Sequence, residues 1–164
     1  MRVDIMEAYL DRVEKKDKRI LFRLLQYSLF EESATDLNEM NDEGLYTYKW
    51  FDRYFTDDDR LAFFIKEKVS YKLLGFVMIN EYVQRIDKGH SIAEFMILPK
   101  YRRKGIGKQV AIECFTMFDG NWEVSPSYGS EKAYLFWKNA IDTYTNRENK
   151  YEDQIFIFEK RNDK

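Results

Sequence analysis

The stretch Ile97–Lys108, ILPKYRRKGIGK, decides how the rest of the chain is read. The run before it, Ser91–Leu98 (SIAEFMIL), reads as a strand that stops at Pro99, which cannot donate to a ladder. Five of the nine residues after the proline are basic: Lys100, Arg102, Arg103, Lys104 and Lys108. Val110, Cys114 and Phe118 then recur at four-residue spacing, with Ala111 and Phe115 beside them. That spacing predicts a helix from about Gly105 to Phe118, with Gly120 as a stop signal. A helix N-terminus offers unpaired N–H groups and the positive end of its dipole. Glycines let backbone come close, so the junction suits an anion such as a phosphate. A plain basic turn before a surface helix fits the residue types equally well. Two familiar phosphate loops do not fit. Gly107-Lys108 is followed by Gln109 instead of Ser or Thr, and Val110 stands where a dinucleotide fingerprint needs its third glycine.

Working outward, Leu61–Lys66 (LAFFIK) and Lys72–Asn80 (KLLGFVMIN) read as strands. The second is apolar on both faces, as in a central strand covered on each side. Val3–Val13 holds an opening strand. Ile20, Leu21, Leu24, Leu25 and Ser28 give an amphipathic helix from about Lys16 to Glu31. From Glu31 to Tyr48 there are six acidic residues and no Lys or Arg, which reads as an acidic loop. A short second helix follows around Lys49–Phe55. Beyond the glycine loop come a strand at Asn121–Val124, a helix at Ser130–Tyr144 and a closing strand at Gln154–Glu159. The order is β-α-α-β-β-β-α-β-α-β, an α/β layer with an antiparallel first half and parallel crossovers later.

Composition bounds the function. The chain has 164 residues, 45% hydrophobic and 17% aromatic, enough for one domain (residues 1–164) with a real core. Lys plus Arg is 27 against 29 for Asp plus Glu, so bulk charge argues against nucleic-acid binding. One Cys and one His argue against a disulfide and a zinc site. No apolar run approaches a membrane span, and MRVDIMEAYLDRVEKK lacks the apolar centre of a signal peptide. The expectation is a cytoplasmic protein with no metal.

Arg102-Arg103-Lys104-Gly105-Ile106-Gly107 matches [RQ]-x-x-G-x-[GA] between a strand and a helix. This resembles motif A of the GNAT superfamily of N-acetyltransferases. Ser130–Trp137 (SEKAYLFW) is similar to the family's N-x-x-A-x-x-F-Y segment, and the element order also matches. The layout resembles a poorly characterised bacterial subgroup. The resemblance implies a GNAT fold: a central mixed sheet, antiparallel in its first half, with a splayed parallel pair after motif A. It implies acetyl-CoA as co-substrate, lying where Ser91–Leu98 parts from Asn121–Val124. Backbone at Phe95 and Ile97 would pair with the pantetheine arm. Amides of Arg103, Lys104, Gly105, Ile106, Gly107 and Lys108 would cradle the pyrophosphate, with Arg102 heading the motif. Ser130 falls on the family's Asn position.

The implied reaction is direct attack of a primary amine on the thioester. Glu94, on the motif A strand, and Glu123, in Trp122-Glu123-Val124, are the candidate bases, with His90 third. Trp137 stands where many relatives have an acidic Tyr; an indole N–H has no useful acidity, so Trp137 is expected to be packing. Tyr128, Tyr134 or water would then supply the proton. Cys114 is expected in the core. Acidic residues between Glu31 and Glu43, followed by Asp57–Asp59, would attract a cationic acceptor, or serve only as a solvated loop. Tyr46, Tyr48, Trp50, Phe51, Tyr54 and Phe55 lie between the acidic runs, as core or as acceptor lining. A homodimer is an expectation from the superfamily alone. The alternative reading is a non-catalytic GNAT-fold module that binds or senses acyl-CoA.

Overall fold

The chain was analysed as a computed structural model that describes residues 6–159. In order it forms β1 (Ala8–Arg12), α1 (Lys18–Asp36), β2 (Arg60–Glu67), β3 (Leu73–Asn80) and β4 (His90–Ile97). Then follow α2 (Ile106–Met117), β5 (Asn121–Val124), α3 (Glu131–Thr145), β6 (Lys150–Glu152) and β7 (Ile155–Glu159). The strands make one seven-stranded sheet, ordered β1-β2-β3-β4-β5-β7-β6. Its first four strands are antiparallel, β4 and β5 are parallel, and β7 pairs antiparallel with both β5 and β6. This is the mixed sheet expected from the sequence. Residues 3–5 of the expected opening strand lie outside the described residues.

Helices cover both faces. Leu21, Leu24, Leu25 and Leu29 of α1 pack with Phe64, Phe76, Met78 and Met96. On the other face Val110, Cys114 and Phe115 of α2 and Trp137 and Ile141 of α3 pack with Ile65, Val77, Ile79 and Trp122. β3 is therefore buried on both sides, as its two apolar faces predicted. Burial pushes the Cys114 thiol up, away from reactivity, as befits a core residue.

Three elements differ from the sequence reading. α1 runs on to Asp36, through the start of the expected acidic loop, and stops at Leu37 in the left-handed conformation (φ 64°). The expected second helix is one 3-10 turn, Phe51–Phe55. β6 was not expected; its residues are all exposed and lack an apolar alternation. It turns into β7 through Asp153 and Gln154, both at positive φ, a two-residue hairpin turn made without the usual glycine.

Two irregularities shape the site. β4 pairs with β5 only at residues 90–92, opposite 122–124, and Pro126 follows too closely for β5 to continue. The later part of β4 is thus left without a neighbour on that side. The second irregularity is a bulge. Met78 faces Glu94 while Ile79 faces Ile92, so Ala93 is the extra residue. Ile92 points into the α2/α3 core, and simple alternation would put Glu94 there too. The extra residue resets the alternation: Phe95 and Ile97 join the α2/α3 core and Met96 the α1 core. Glu94 is turned to the α1 side.

Candidate active site

The glycine loop meets the unpaired end of β4. The Leu98 N–H donates to the Leu74 carbonyl at 2.8 Å, so alternation directs the backbone groups of Phe95 and Ile97 away from β3, into the gap left by β5. There the Ile97 carbonyl accepts from Arg102 Nε at 2.7 Å. Arg102 ties the loop to the fold. Its two terminal nitrogens grip both oxygens of Glu31 on α1, at 2.9 and 2.5 Å. That grip holds the Glu31 carboxyl below the usual range.

Arg103 (φ 61°) and Gly105 (φ 80°) are both left-handed, and Gly105 caps α2. The backbone reversal aims the first amides of α2 out of the helix end. Gly107 has a different reason to be glycine. A Cβ there would sit 3.0 Å from the Phe136 ring, so its absence lets α2 pack on α3. Ile106 is buried, leaving only its amide for a ligand. Arg103 and Lys104 are exposed and Lys108 is half-buried. Ser130 caps α3, its Oγ accepting from the Ala133 N–H at 3.2 Å. That bond gives the hydroxyl an internal task beside the one expected for it.

Glu94 lies in a half-buried polar cluster. The Glu32 carboxyl of α1 and the Tyr48 hydroxyl act on its carboxyl. Tyr48 also bonds Tyr54, and Asn80 Nδ2 of β3 donates to the Tyr54 hydroxyl at 3.1 Å. Ser28, one turn before Glu32, and Ser127, between β5 and α3, neighbour the Glu32 carboxyl. Burial, and then the Glu32 carboxyl, hold Glu94 well above the usual carboxylate range. Burial also raises Glu32, and burial with the nearby Glu94 pushes the Tyr48 phenol up. The cluster holds its proton to higher pH than an ordinary carboxylate would, a property a general base can use.

Glu123 has other partners. Its carboxylate accepts from the backbone N–H groups of Gln84, Arg85 and Ile86 at 2.8, 2.5 and 2.9 Å, and it is 2% exposed. It anchors the connection between β3 and β4 and faces no opening. His90 begins β4, at the opposite end from the glycine loop, stacked on Phe118 at 4.4 Å. Burial lowers its pKa. Tyr134 stacks on Phe156, and Tyr128 is exposed.

Trp137 is buried against Phe95, Phe115 and Phe136, as a packing residue should be. Replacing it by Phe is expected to cost about 1–2 kcal/mol of stability while keeping turnover within about threefold. Paired unfolding and activity measurements check this; lost turnover with an intact fold would make the indole a participant.

Glu32 and Tyr48 were not singled out as catalytic partners from sequence. Glu32 continues the buried stripe of α1, four residues beyond Ser28, and that polar end to an apolar stripe was the available signal.

The sheet opens beside a glycine-capped helix, the arrangement that the glycine loop and strand order led one to expect. A profile of the acetyltransferase (GNAT) family matches residues 26–121, and the chain belongs to that family. The protein is accordingly an acyltransferase. Its fold resembles an acetyltransferase from Thermus thermophilus: 18% identity over 96% of this chain and 99% of that one, TM-score 0.63. It also resembles spermidine N-acetyltransferase from Vibrio cholerae, solved with CoA and spermine: 13% identity over 93% and 95% of the chains, TM-score 0.57. A third similar fold is the PaiA N-acetyltransferase of Thermoplasma acidophilum, solved with coenzyme A: 16% identity over 96% and 100%, TM-score 0.56. No curated protein sequence matches the chain.

Proposed function

We propose that the protein is an acetyl-CoA-dependent N-acetyltransferase that acetylates a primary amine by direct attack, with Glu94 as the base. The observation that carries this reading is Glu94 itself. The bulge at Ala93 turns a carboxyl off an otherwise apolar strand into a half-buried cluster beside the unpaired end of β4. The coenzyme-bound relatives support acetyl-CoA as donor, and the spermine-bound one supports an amine acceptor.

The free backbone edge at Phe95 and Ile97 suits a pantetheine arm, which adds as a strand would. The Ile97 N–H is the donor for the thioester oxygen, and one preorganised donor contributes about 3 kcal/mol to the transition state. Amides of residues 103–108, with Arg103, Lys104 and Lys108, suit the pyrophosphate. Glu94 takes a proton from the acceptor's ammonium and frees its lone pair. The thiolate, with a conjugate acid near pKa ~8.5, leaves without a dedicated tyrosine acid. A cytoplasmic location is part of the reading, in keeping with a free, buried cysteine.

Thermal unfolding tests the donor site. Acetyl-CoA at about a hundredfold above Kd is expected to stabilise by about 2.7 kcal/mol, a rise in Tm of roughly 5–10 °C. ATP at equal concentration serves as the control. No shift at millimolar acetyl-CoA would remove the reading; a selective shift leads to an assay over a pool of amines.

A further inference from the structure

Helix α1 has two apolar faces, and the sheet uses one of them. Leu21, Leu24, Leu25 and Leu29 are buried against the sheet. On the opposite side Ile20, Arg23, Tyr27, Phe30, Ala34 and Leu37 are all exposed. Their spacing alternates between three and four residues, the repeat of a two-helix seam. Tyr27 is 62% exposed, Phe30 61% and Leu37 77%, so the large apolar members stand in water. None of the six joins either core of the fold. Ala34 is small enough to let a second backbone come close. Charge is sorted along the same helix. Lys18, Arg19 and Arg23 occupy its first third, and Glu31, Glu32 and Asp36 its last. The first turn holds no acidic residue and the last turn no basic one, the reverse of what a helix dipole favours. Among the described residues Arg19 and Arg23 make no ion pair. A second α1 lying antiparallel would bring its acidic end beside this basic one, and would do so at both ends at once.

We propose that the exposed face of α1 docks against the same face of a second copy of this chain, antiparallel, across a two-fold axis between Tyr27 and Phe30. Each seam contact then occurs twice, as an isologous interface requires. A centre at that point sets Tyr27 opposite Phe30 of the partner subunit and Ile20 opposite Leu37 of the partner subunit. Arg23 falls opposite Ala34 of the partner subunit. Its aliphatic stem covers the alanine while its guanidinium extends toward the acidic end. Glu31 flanks the seam and already holds Arg102, but a carboxylate has about four lone-pair sites, and two nitrogens use only part of them. A second copy is the occupant because this face is complementary to its own reverse: apolar at the centre, basic at one end, acidic at the other. A partner of uniform charge would be repelled at one of the two ends. One helix from each copy makes a small interface, so the dimer population follows protein concentration.

Sedimentation velocity of the full chain, over about a hundredfold range of concentration, tests this. A concentration-dependent dimer is expected, and sodium chloride should weaken it, because the end contacts are attractive and near the surface. Tyr27→Glu and Phe30→Glu each place a charge at the centre of the seam twice. Either is expected to weaken the dimer by at least about a hundredfold. Both side chains stand in water in the single chain, so neither change should unfold it; melting at the lowest concentration checks this. Charge exchange then tests complementarity. One chain carries Arg19→Glu with Arg23→Glu; another carries Asp36→Lys with Glu39→Lys, Glu39 being exposed just beyond α1. Each alone sets like charges against each other and should stay monomeric, although its helix dipole is better served. Mixed, the two should associate. A parent that is monomeric at every concentration overturns the proposal. So does a dimer that both Tyr27→Glu and Phe30→Glu leave intact, since it uses another surface. A dimer that salt strengthens, or exchanged chains that associate as well alone as mixed, overturns the antiparallel docking.

Discussion

Replacing Glu94 by Gln is expected to lower kcat/KM by about a hundred- to a thousandfold while the Tm rise with acetyl-CoA persists. The amide keeps the shape of the carboxyl, so loss of fold is not the expected cause. What it removes is the ability to take a proton. The pH dependence has a definite sign. Burial and the Glu32 carboxyl raise Glu94 in the folded protein, so the pair carries its full complement of protons at low pH. Activity therefore rises as pH climbs through the elevated range of the pair, and its acid limb lies above that of an ordinary carboxylate. Stability runs the other way. A carboxyl raised on folding favours the folded state less as pH rises from its unfolded value through its folded one. Kinetics over a pH series, with unfolding measured in the same buffers, checks both. Wild-type turnover in Glu94→Gln would sink the assignment.

Glu123→Ala is expected to do the opposite: to cost about 3 kcal/mol of stability and leave the chemical step nearly intact where the protein is folded. Three backbone N–H groups, of Gln84, Arg85 and Ile86, lose their acceptor together. Each buried donor left unpaired costs about 1–3 kcal/mol, offset in part as the connection relaxes toward water. In a chain of this length that is a drop in Tm of roughly 6–12 °C. Denaturation of the variant, and turnover measured well below its Tm, separate the roles. A stable but inactive Glu123→Ala would restore Glu123 as a base.

Much of the fold could be read from the chain because its strands and glycine loop carry local signals. Leu73–Asn80 is apolar on both faces because it is central. The bounds of β5 agree with the reading from sequence because its four residues sit between Gly120 and Pro126. What escaped depends on chemistry without a strong local sign. α1 ends at a left-handed leucine where a glycine is usual, so Glu32 was assigned to a loop instead of a buried helix face. β6 hangs on a turn of Asp153 and Gln154, neither a strong hairpin residue. In the site, the glycines and basic residues were legible as a group. The partners of Arg102 and Glu123, namely Glu31 and the amides of residues 84–86, could not be read from sequence because only the tertiary fold brings them together. The bulge that turns Glu94 toward Glu32 is a property of pairing with β3, and no single strand announces it.

The parting of β4 from β5 also bears on how the protein avoids sticking to itself. A strand with idle peptide groups at the border of a sheet is an adhesive surface, open to any second chain. Here the groups of Phe95 and Ile97 that no strand pairs lie inside the sheet, where β5 pairs with β4 up to two residues before Glu94 and helices stand on both faces. A second sheet cannot approach edge to edge across such a slot, whereas a slender linear molecule can enter it lengthwise. Guest selection thus starts with cross-section, before any side chain makes contact, and the same narrowness guards against aggregation.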